Sequence, residues 1–431
     1  MLSNKKIVCP NNLITVAKKS GIIDAAIVNA GEIFPMESVH KAVEHNLINP
    51  IFIGNESNIK KYAEKLKWDI SKYKIIHEND ENSTAPIAAK LASENKVKII
   101  VKGHIHTDVL MKSVLKRDLN LIGKKRLSHV WHMTLDKEDK PFIITDGVVN
   151  VLPKLEVKMH ILRNAVDFAK KIGISRPKVA VLSATEEIIE SVPSSIDADL
   201  ITKKAKEENI NADVFGPLAF DNSVSKKSAI IKKIKNDVSG STDILLVPNV
   251  ETGNALVKMM IYFMGACAAG VVIGGKAPVV ITSRSDEAEA RLASIAAAVV
   301  ALNWKNMIKQ IPSNEVEEYV KKNPKSVLLD VRTDEEWNAD GKPDGDKIGL
   351  KTYFLTIQFA DGTFNKNFVK DFKKLNIQED YEILTMCMGG VRSQAAAELL
   401  TKENYNCSNI LDGFLGNSHN SGWKKSNLPQ K

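Results

Sequence analysis

The sequence predicts an α/β protein in two parts: a two-lobed, three-layer α/β/α unit over residues 1–305, and a smaller α/β unit over 311–431. Three observations carry this prediction. Short β-branched runs alternate with helical patterns, the signature of a largely parallel sheet covered on both faces. A polar connector holding Pro312 and Pro324 then interrupts the pattern, and a fresh strand–helix succession follows it. Finally, 431 residues exceed one typical domain, two or three being expected at this length.

Taken in order, 25–28 (AAIV) and 50–54 (PIFIG) read as buried strands flanking a helix that contains MESVHKAVEH. IIVKG at 99–103 is a third strand. Ligands of such sheets sit beyond the carboxyl ends of strands. That puts 102–108 and 283–286 on ligand-facing edges, with Lys102 and Thr107 as candidate substrate contacts. His104 and His106 form an H-x-H pair, too little to specify a metal, and no metal site is expected. PFIITDGVVN at 141–150 closes one lobe, a helix follows from LEVKMHILRNAVDFAKKIGI, and PKVAVLSA at 177–184 opens the next. The lobe boundary is therefore expected near residue 150.

The most informative stretch is 244–302. Two β-branched runs, ILLV at 244–247 and VVIT at 279–282, each break into a polar turn that opens an apolar helical pattern. Helix N-termini present unpaired N–H groups and the positive end of the dipole, so each turn is a candidate anion site. The first carries Glu251, Gly253 and Asn254; the second carries Ser283, Arg284, Ser285 and Asp286.

The pattern changes after residue 302. Residues 306–325 read as a linker and a first helix over 314–321, with Ser313 as the expected N-cap. SVLLDVR at 326–332 and YEILTM at 381–386 are strands, and SQAAAELL at 393–400 is a helix. Cys387 follows a strand end directly. Gly389 and Gly390 allow backbone N–H groups to converge beside it, and Arg392 and Ser393 complete the turn.

Composition narrows the function. Apolar residues make up 44% and charged residues 26% of the chain, as in ordinary globular proteins. Of 60 Lys+Arg and 52 Asp+Glu, 16 and 18 lie from Ile311 onward, so the front carries +10 and the tail −2. A basic front suits an anionic small molecule; no basic run or aromatic–basic motif points to nucleic acid. The start lacks the apolar core of a secretory signal. The uncharged run 259–275 holds four glycines and reads as a buried helix entering a buried strand, not a membrane span. Four scattered cysteines without ligand spacing indicate free thiols in a reducing compartment, and the cytoplasm is expected.

Residues 1–305 resemble the phosphate acetyltransferase and phosphate butyryltransferase family. The matching words are PNVETGN at 248–254, GA at 265–266, AGVVIG at 269–274 and PVVITSR at 278–284. Upstream, the likeness extends through 28–54, VKGHIHTD at 101–108 and GPLAFDNSVS at 216–225. The resemblance implies exchange of an acyl group between coenzyme A and phosphate, both as substrates, with no permanently bound cofactor. It also implies two lobes around a cleft, last helices returning to the first lobe, and a homodimer or higher homo-oligomer. Arg284 then becomes the phosphate clamp, because a planar fork matches phosphate bidentately. Ser283 becomes a donor to phosphate or carbonyl oxygen, and Asn254 orients the acyl phosphate. The acetyltransferase branch carries an aspartate pair shortly after the Ser-Arg word; here those positions are Glu289 and Ala290, with Asp286 nearer the arginine. Asp286 or Glu289 is the candidate base for the thiol proton.

Residues 311–428 resemble a rhodanese-type sulfurtransferase domain. The carriers are VLLDVR at 327–332, Glu336 and Trp337, CMGGVRS at 387–393, LDGF at 411–414 and Trp423. The resemblance makes Cys387 the residue that accepts a sulfane sulfur from a sulfur donor, with Gly390, Arg392 and Ser393 around it. Four residues separate Cys387 from Arg392, one fewer than a Cys-to-Arg phosphatase needs to wrap a tetrahedral phosphate. The family's histidine-bearing word after Trp337 is replaced by ADGKPDGDKIGLKT. Cys407 reads as a buried structural thiol. Two other functions stay open on sequence: a non-catalytic acyl-CoA or acyl-phosphate sensor with a regulatory tail, and a dehydrogenase on a similar two-lobed architecture.

Overall fold

Apolar segments become the central strands of the molecule and are buried along nearly their whole length, whereas the edge strands are partly exposed. The computed structural model describes residues 2–431 apart from 123–125, 136–139, 284–285, 303–307, 379, 404 and 419. The chain divides into two compact units, Met1–Leu302 and Asn303–Lys431.

In the front unit, eleven strands among the described residues form one sheet. They are β1 (Ile23–Val28), β2 (Ile48–Gly54), β3 (Ile75–His77), β4 (Ile99–Lys102), β5 (Ser128–Thr134) and β6 (Phe142–Thr145). The remainder are β7 (Lys178–Leu182), β8 (Asp213–Leu218), β9 (Ile244–Leu246), β10 (Cys267–Ile273) and β11 (Val279–Val280). Their order is β3-β2-β1-β4-β11-β10-β5-β6-β9-β7-β8. Strands β4, β5 and β10 are buried at every position, as expected of a sheet covered on both faces.

The sheet is less uniformly parallel than the alternation of strands and helices suggests. Strand β10 runs antiparallel to both β11 and β5, and β5 runs antiparallel to β6. These reversals join two parallel groups into one continuous sheet. The sequence places the change of lobe near residue 150; in the sheet, β6 already pairs with β9. Late in the chain, β11 returns to lie beside β4. The helix Ala288–Ala301, buried at twelve positions, packs on the helices Asn11–Lys18 and Ile33–Glu44.

The stretch 259–275 departs from expectation in its first half. The helix Val250–Met264 buries only Gly253 and Val257, while Met259, Tyr262, Phe263 and Met264 are exposed. Gly265 ends it in the left-handed region at φ 67°, and the chain turns directly into β10. Among the described residues, no helix is long and apolar enough to cross a membrane.

The tail unit is a parallel sheet of five strands among the described residues, in the order β12-β16-β15-β13-β14. These are β12 (Lys309–Ile311), β13 (Ser326–Asp330), β14 (Lys351–Phe354), β15 (Glu382–Met386) and β16 (Asn406–Ile410). Ser313 does not cap a helix. It is fully buried, and both its N–H and its hydroxyl donate to Asp412 Oδ1, at 2.9 and 2.6 Å. The helix begins later, at Val316, because the Ser313 hydroxyl is committed to the 411–414 turn. Asp412 also accepts from Gly422 N–H at 2.9 Å, so one buried carboxylate ties three segments together.

Candidate active site

The front unit holds a cavity of about 370 Å3 lined by residues from both polar turns, Asn254 from the first and Ser283 and Asp286 from the second. Thr107 lines it from the first turn of the helix Thr107–Val114, and Asn254 and Lys258 from one face of Val250–Met264. Thr282, Ser283 and Asp286 line it from the turn after β11. The N-terminal segment contributes Ser3 and Lys5, held by a hydrogen bond from Ser3 N–H to the carbonyl of Tyr262 at 2.8 Å.

Arg291 fixes the shape of the second turn. Its guanidinium, 5% exposed, donates to Thr282 Oγ1 at 3.0 Å, to the carbonyl of Ser283 at 2.7 Å and to that of Asp286 at 3.1 Å. Lys102 adds a fourth bond, from Nζ to the carbonyl of Thr282 at 3.2 Å. Inside the turn, Ser283 N–H donates to Asp286 Oδ2 at 2.6 Å. Burial raises the Asp286 carboxyl above its ordinary range, against the opposing pull of that N–H and of Arg291, Lys102 and Lys258. A carboxyl so placed is suited to hold and release a proton.

Several candidates from the sequence take other roles. Arg284 lies outside the described residues, as does Ser285. Lys102 is a buried structural cation, 4% exposed and bonded to the turn from behind, not a surface contact. Glu289 points away from the cavity. It pairs with Lys41 at 2.7 Å and accepts from Cys9 N–H at 3.4 Å, so it anchors the N-terminal segment. Glu251 is exposed in the first turn of its helix. Gly253 serves packing: a Cβ there would meet Gly147 Cα at 2.8 Å. The expected anion site at that helix start is partly closed, because Asn249 Oδ1 already accepts from Thr252 N–H and Oγ1, at 2.9 and 2.7 Å.

Sequence reasoning missed Lys258, Arg291 and Trp131. Lys258 was legible as the residue one helical turn after Asn254, and Arg291 as a lone cation in the apolar run AEARLASIAAAVV. Trp131, 9% exposed in the cavity wall, carried no such signal. It packs on His129 with ring centroids 4.5 Å apart. Burial holds His129 neutral, its imidazole pushed down to about 3. Cys267 is likewise inert, raised by burial to about 12. Among the described residues, no cluster of three or more His, Cys, Asp or Glu could hold a metal.

The tail unit has its own constellation. Cys387, 1% exposed, follows β15, and its Sγ accepts from Gly390 N–H and from Ser393 Oγ–H, both at 3.2 Å. Gly390 sits at φ 96° with its Cα against Leu411, where a Cβ would meet the carbonyl oxygen at 2.0 Å, so only glycine fits. Asn409 Nδ2 donates to the Gly390 carbonyl at 3.1 Å and holds the loop closed. Arg392 is not an unbalanced charge facing the loop. Glu336 takes both its terminal nitrogens, at 2.9 and 2.5 Å. Burial opposes the charge of Glu336, yet Arg392 and Thr333 N–H hold its carboxyl below the usual range. Cys407 is buried and raised to about 12 by that burial.

The front unit is thus an α/β small-molecule site in which hydroxyl, amide, ammonium and carboxyl groups meet beside an apolar wall. The profile of the family described as "Phosphate acetyl/butaryl transferase" matches residues 81–299. The chain is 37% identical over 294 residues to the phosphate acetyltransferase of Rickettsia prowazekii, covering 68% of this chain and 84% of that protein. To the phosphate butyryltransferase of Clostridium acetobutylicum it is 34% identical over 295 residues, covering 68% and 98%. A branched-chain phosphotransacylase from Enterococcus faecalis V583 superposes with TM-score 0.59 at 32% identity, over 65% of this chain and 99% of that structure. The chain belongs to the phosphate acetyl/butyryltransferase family, and the matched segment lies within the front unit.

The Asp286 geometry makes a pH-dependent prediction. A carboxyl raised on folding binds protons more tightly in the native state, so its ionisation costs stability as pH climbs from the ordinary carboxylate range through the raised value. Asp286→Asn keeps an acceptor for Ser283 N–H but removes that cost. Its Tm relative to wild type is expected to be higher at pH 7 than at about pH 4, as read by calorimetry at both pH values. An equal difference at the two would contradict the burial of Asp286.

Proposed function

We propose that the front unit exchanges a short-chain acyl group between coenzyme A and phosphate. The observation that carries this reading is the convergence of Thr107, Asn254, Lys258, Ser283 and Asp286 on one cavity with an apolar wall. A phosphate oxygen attacks the thioester carbonyl, the carbon–sulfur bond breaks, and the coenzyme A thiolate leaves with the electron pair. Ser283 and Asn254 donate to the developing oxyanion. Lys258 and Arg284, the latter proposed from sequence, balance the phosphate charge. Asp286 gives its proton to the departing thiolate and receives the proton that the attacking hydrogen phosphate loses; in the reverse direction it takes the proton of the thiol and returns one to the departing phosphate. Coenzyme A and phosphate are substrates in this scheme, and it needs no resident cofactor.

The test is thiol release from acetyl-CoA and butyryl-CoA with and without phosphate, followed with a disulfide reagent in a Cys387→Ser background. Release should depend on phosphate, and Arg284→Ala should lower it by about 100-fold or more. Coenzyme A binding without any phosphate-dependent release would replace the enzyme by a sensor.

For the tail we propose a sulfurtransferase. Cys387 attacks a sulfane sulfur such as that of thiosulfate; a sulfur–sulfur bond forms to Cys387, and the donor's breaks with sulfite leaving. Gly390 N–H and Ser393 Oγ–H then stabilise the terminal sulfur, which passes to a thiol or cyanide. Their two hydrogen bonds to Sγ support this reading. Thiosulfate and cyanide should yield thiocyanate with the intact chain, and Cys387→Ser should abolish it. Equal rates in both proteins would remove Cys387 from the reaction.

A further inference from the structure

We infer that Glu336 sets the charge of the Cys387 cradle, and that the tail unit therefore draws sulfur from a singly charged donor, a thiosulfonate or an organic persulfide, in preference to the thiosulfate dianion. The inference rests on the sulfurtransferase reading of Cys387.

Arg392 is the cation of the turn 387–393, and its charge reaches the Cys387 sulfur. A free guanidinium there would reward each further negative charge on an incoming donor. Glu336 takes that charge away. Its two oxygens accept from both terminal nitrogens of Arg392, at 2.9 and 2.5 Å, with both side chains largely buried. A capping box aims the carboxylate from behind. Glu336 Oε2 also accepts from Thr333 N–H at 2.9 Å, while Glu336 N–H donates to Thr333 Oγ1 at 3.3 Å. Glu336 is thus a positioning residue that acts through Arg392.

The neighbouring charges do not restore a positive field. Arg332 follows Val331, whose N–H donates to the Met386 carbonyl at 2.8 Å; its guanidinium is wholly buried and paired with Asp330 at 2.8 Å. Asp412 lies in the turn whose Phe414 N–H donates to the Cys387 carbonyl at 2.8 Å, and it accepts from uncharged donors on Ser313 and Gly422. Arg332 and Arg392 are therefore balanced by Asp330 and Glu336, with Asp412 left over. The cradle keeps Gly390 N–H and Ser393 Oγ–H as donors to sulfur, with no surplus cation for a second negative charge.

Methanethiosulfonate is thiosulfate with a methyl group in place of one charged oxygen, so the two donors differ mainly in charge. The Cys387 thiolate attacks the outer sulfur, a sulfur–sulfur bond forms to Cys387, and methanesulfinate leaves with the electron pair of the bond that breaks. The experiment measures kcat/KM for both donors, with cyanide as acceptor, in the intact chain as wild type, Glu336→Gln, Arg392→Gln and the double variant. Wild type should favour methanethiosulfonate. Glu336→Gln unmasks Arg392 and should raise the thiosulfate-to-methanethiosulfonate ratio by about tenfold. Arg392→Gln leaves Glu336 unbalanced and should lower that ratio by a similar factor. The double variant is neutral again and should return to the wild-type ratio, which a loss of packing would not produce. A wild-type preference for thiosulfate, or single variants that slow both donors by one factor, would overturn the inference while leaving the sulfurtransferase in place. Absence of thiocyanate from either donor in wild type would overturn both.

Discussion

A single buried guanidinium organises the front unit. Arg291 reaches from the helix Ala288–Ala301 into the turn that follows β11 and binds Thr282, Ser283 and Asp286 together. A turn of this kind cannot hold its own carbonyl groups in a fixed array, because it lacks the ladder of a strand or helix. Arg291 supplies the missing donors from behind, and Lys102 supplies one more. Buried charge is costly unless its hydrogen bonds are met, and here they are met by the backbone that must be positioned. Removing the guanidinium would leave the acceptors it holds unpaired, at about 1–3 kcal/mol for each one that stays buried. Ser283 and Asp286 line the cavity while their backbone carbonyls accept from Arg291.

The same economy governs the other walls. Glu289, one turn from Asp286 on the chain, spends its charge on Lys41 and on Cys9 N–H and so secures the N-terminal segment. That segment carries Ser3 and Lys5 to the cavity rim. The close contact of Gly253 with Gly147 lets the helix Val250–Met264 approach the turn after β6, which brings Asn254 to the cavity. Asp146, in that turn, accepts from His129, Val148 and Val149 N–H and from Asn150 Nδ2, a buried carboxylate satisfied on every side. The tail unit repeats the logic with Asp412, which joins Ser313 to Gly422.

What the sequence revealed followed from local rules. The α/β class, strands such as AAIV, PIFIG, IIVKG, SVLLDVR and YEILTM, and the turns bearing Asn254, Ser283 and Cys387 were readable from periodicity and turn chemistry; the strands Ile75–His77, Ser128–Thr134, Asp213–Leu218 and Lys351–Phe354 were not. The rest needed long-range geometry. Lys102 reads as a strand-end lysine, and only the return of β11 to the side of β4 buries it. Glu289 and Asp286 are both acids near a helix start, and nothing local says that Lys41, 248 residues away, claims one of them. Ser313 has the sequence of an N-cap, yet a carboxylate 99 residues on takes its hydroxyl. Glu336 neutralises Arg392 across 56 residues, which no motif spacing reports. Trp131 lines the cavity because the reversed strand β10 lies beside β5, a pairing that strand–helix alternation does not predict.

The central claim is that one cavity brings phosphate and an acyl thioester into reaction. Phosphorus NMR of the protein mixed with butyryl-CoA and inorganic phosphate tests it most directly. The account predicts that an acyl-phosphate resonance grows as inorganic phosphate falls, with one free thiol appearing for each acyl phosphate formed. Thiol appearing without acyl phosphate would mean that water, not phosphate, attacks the thioester, and would contradict the account.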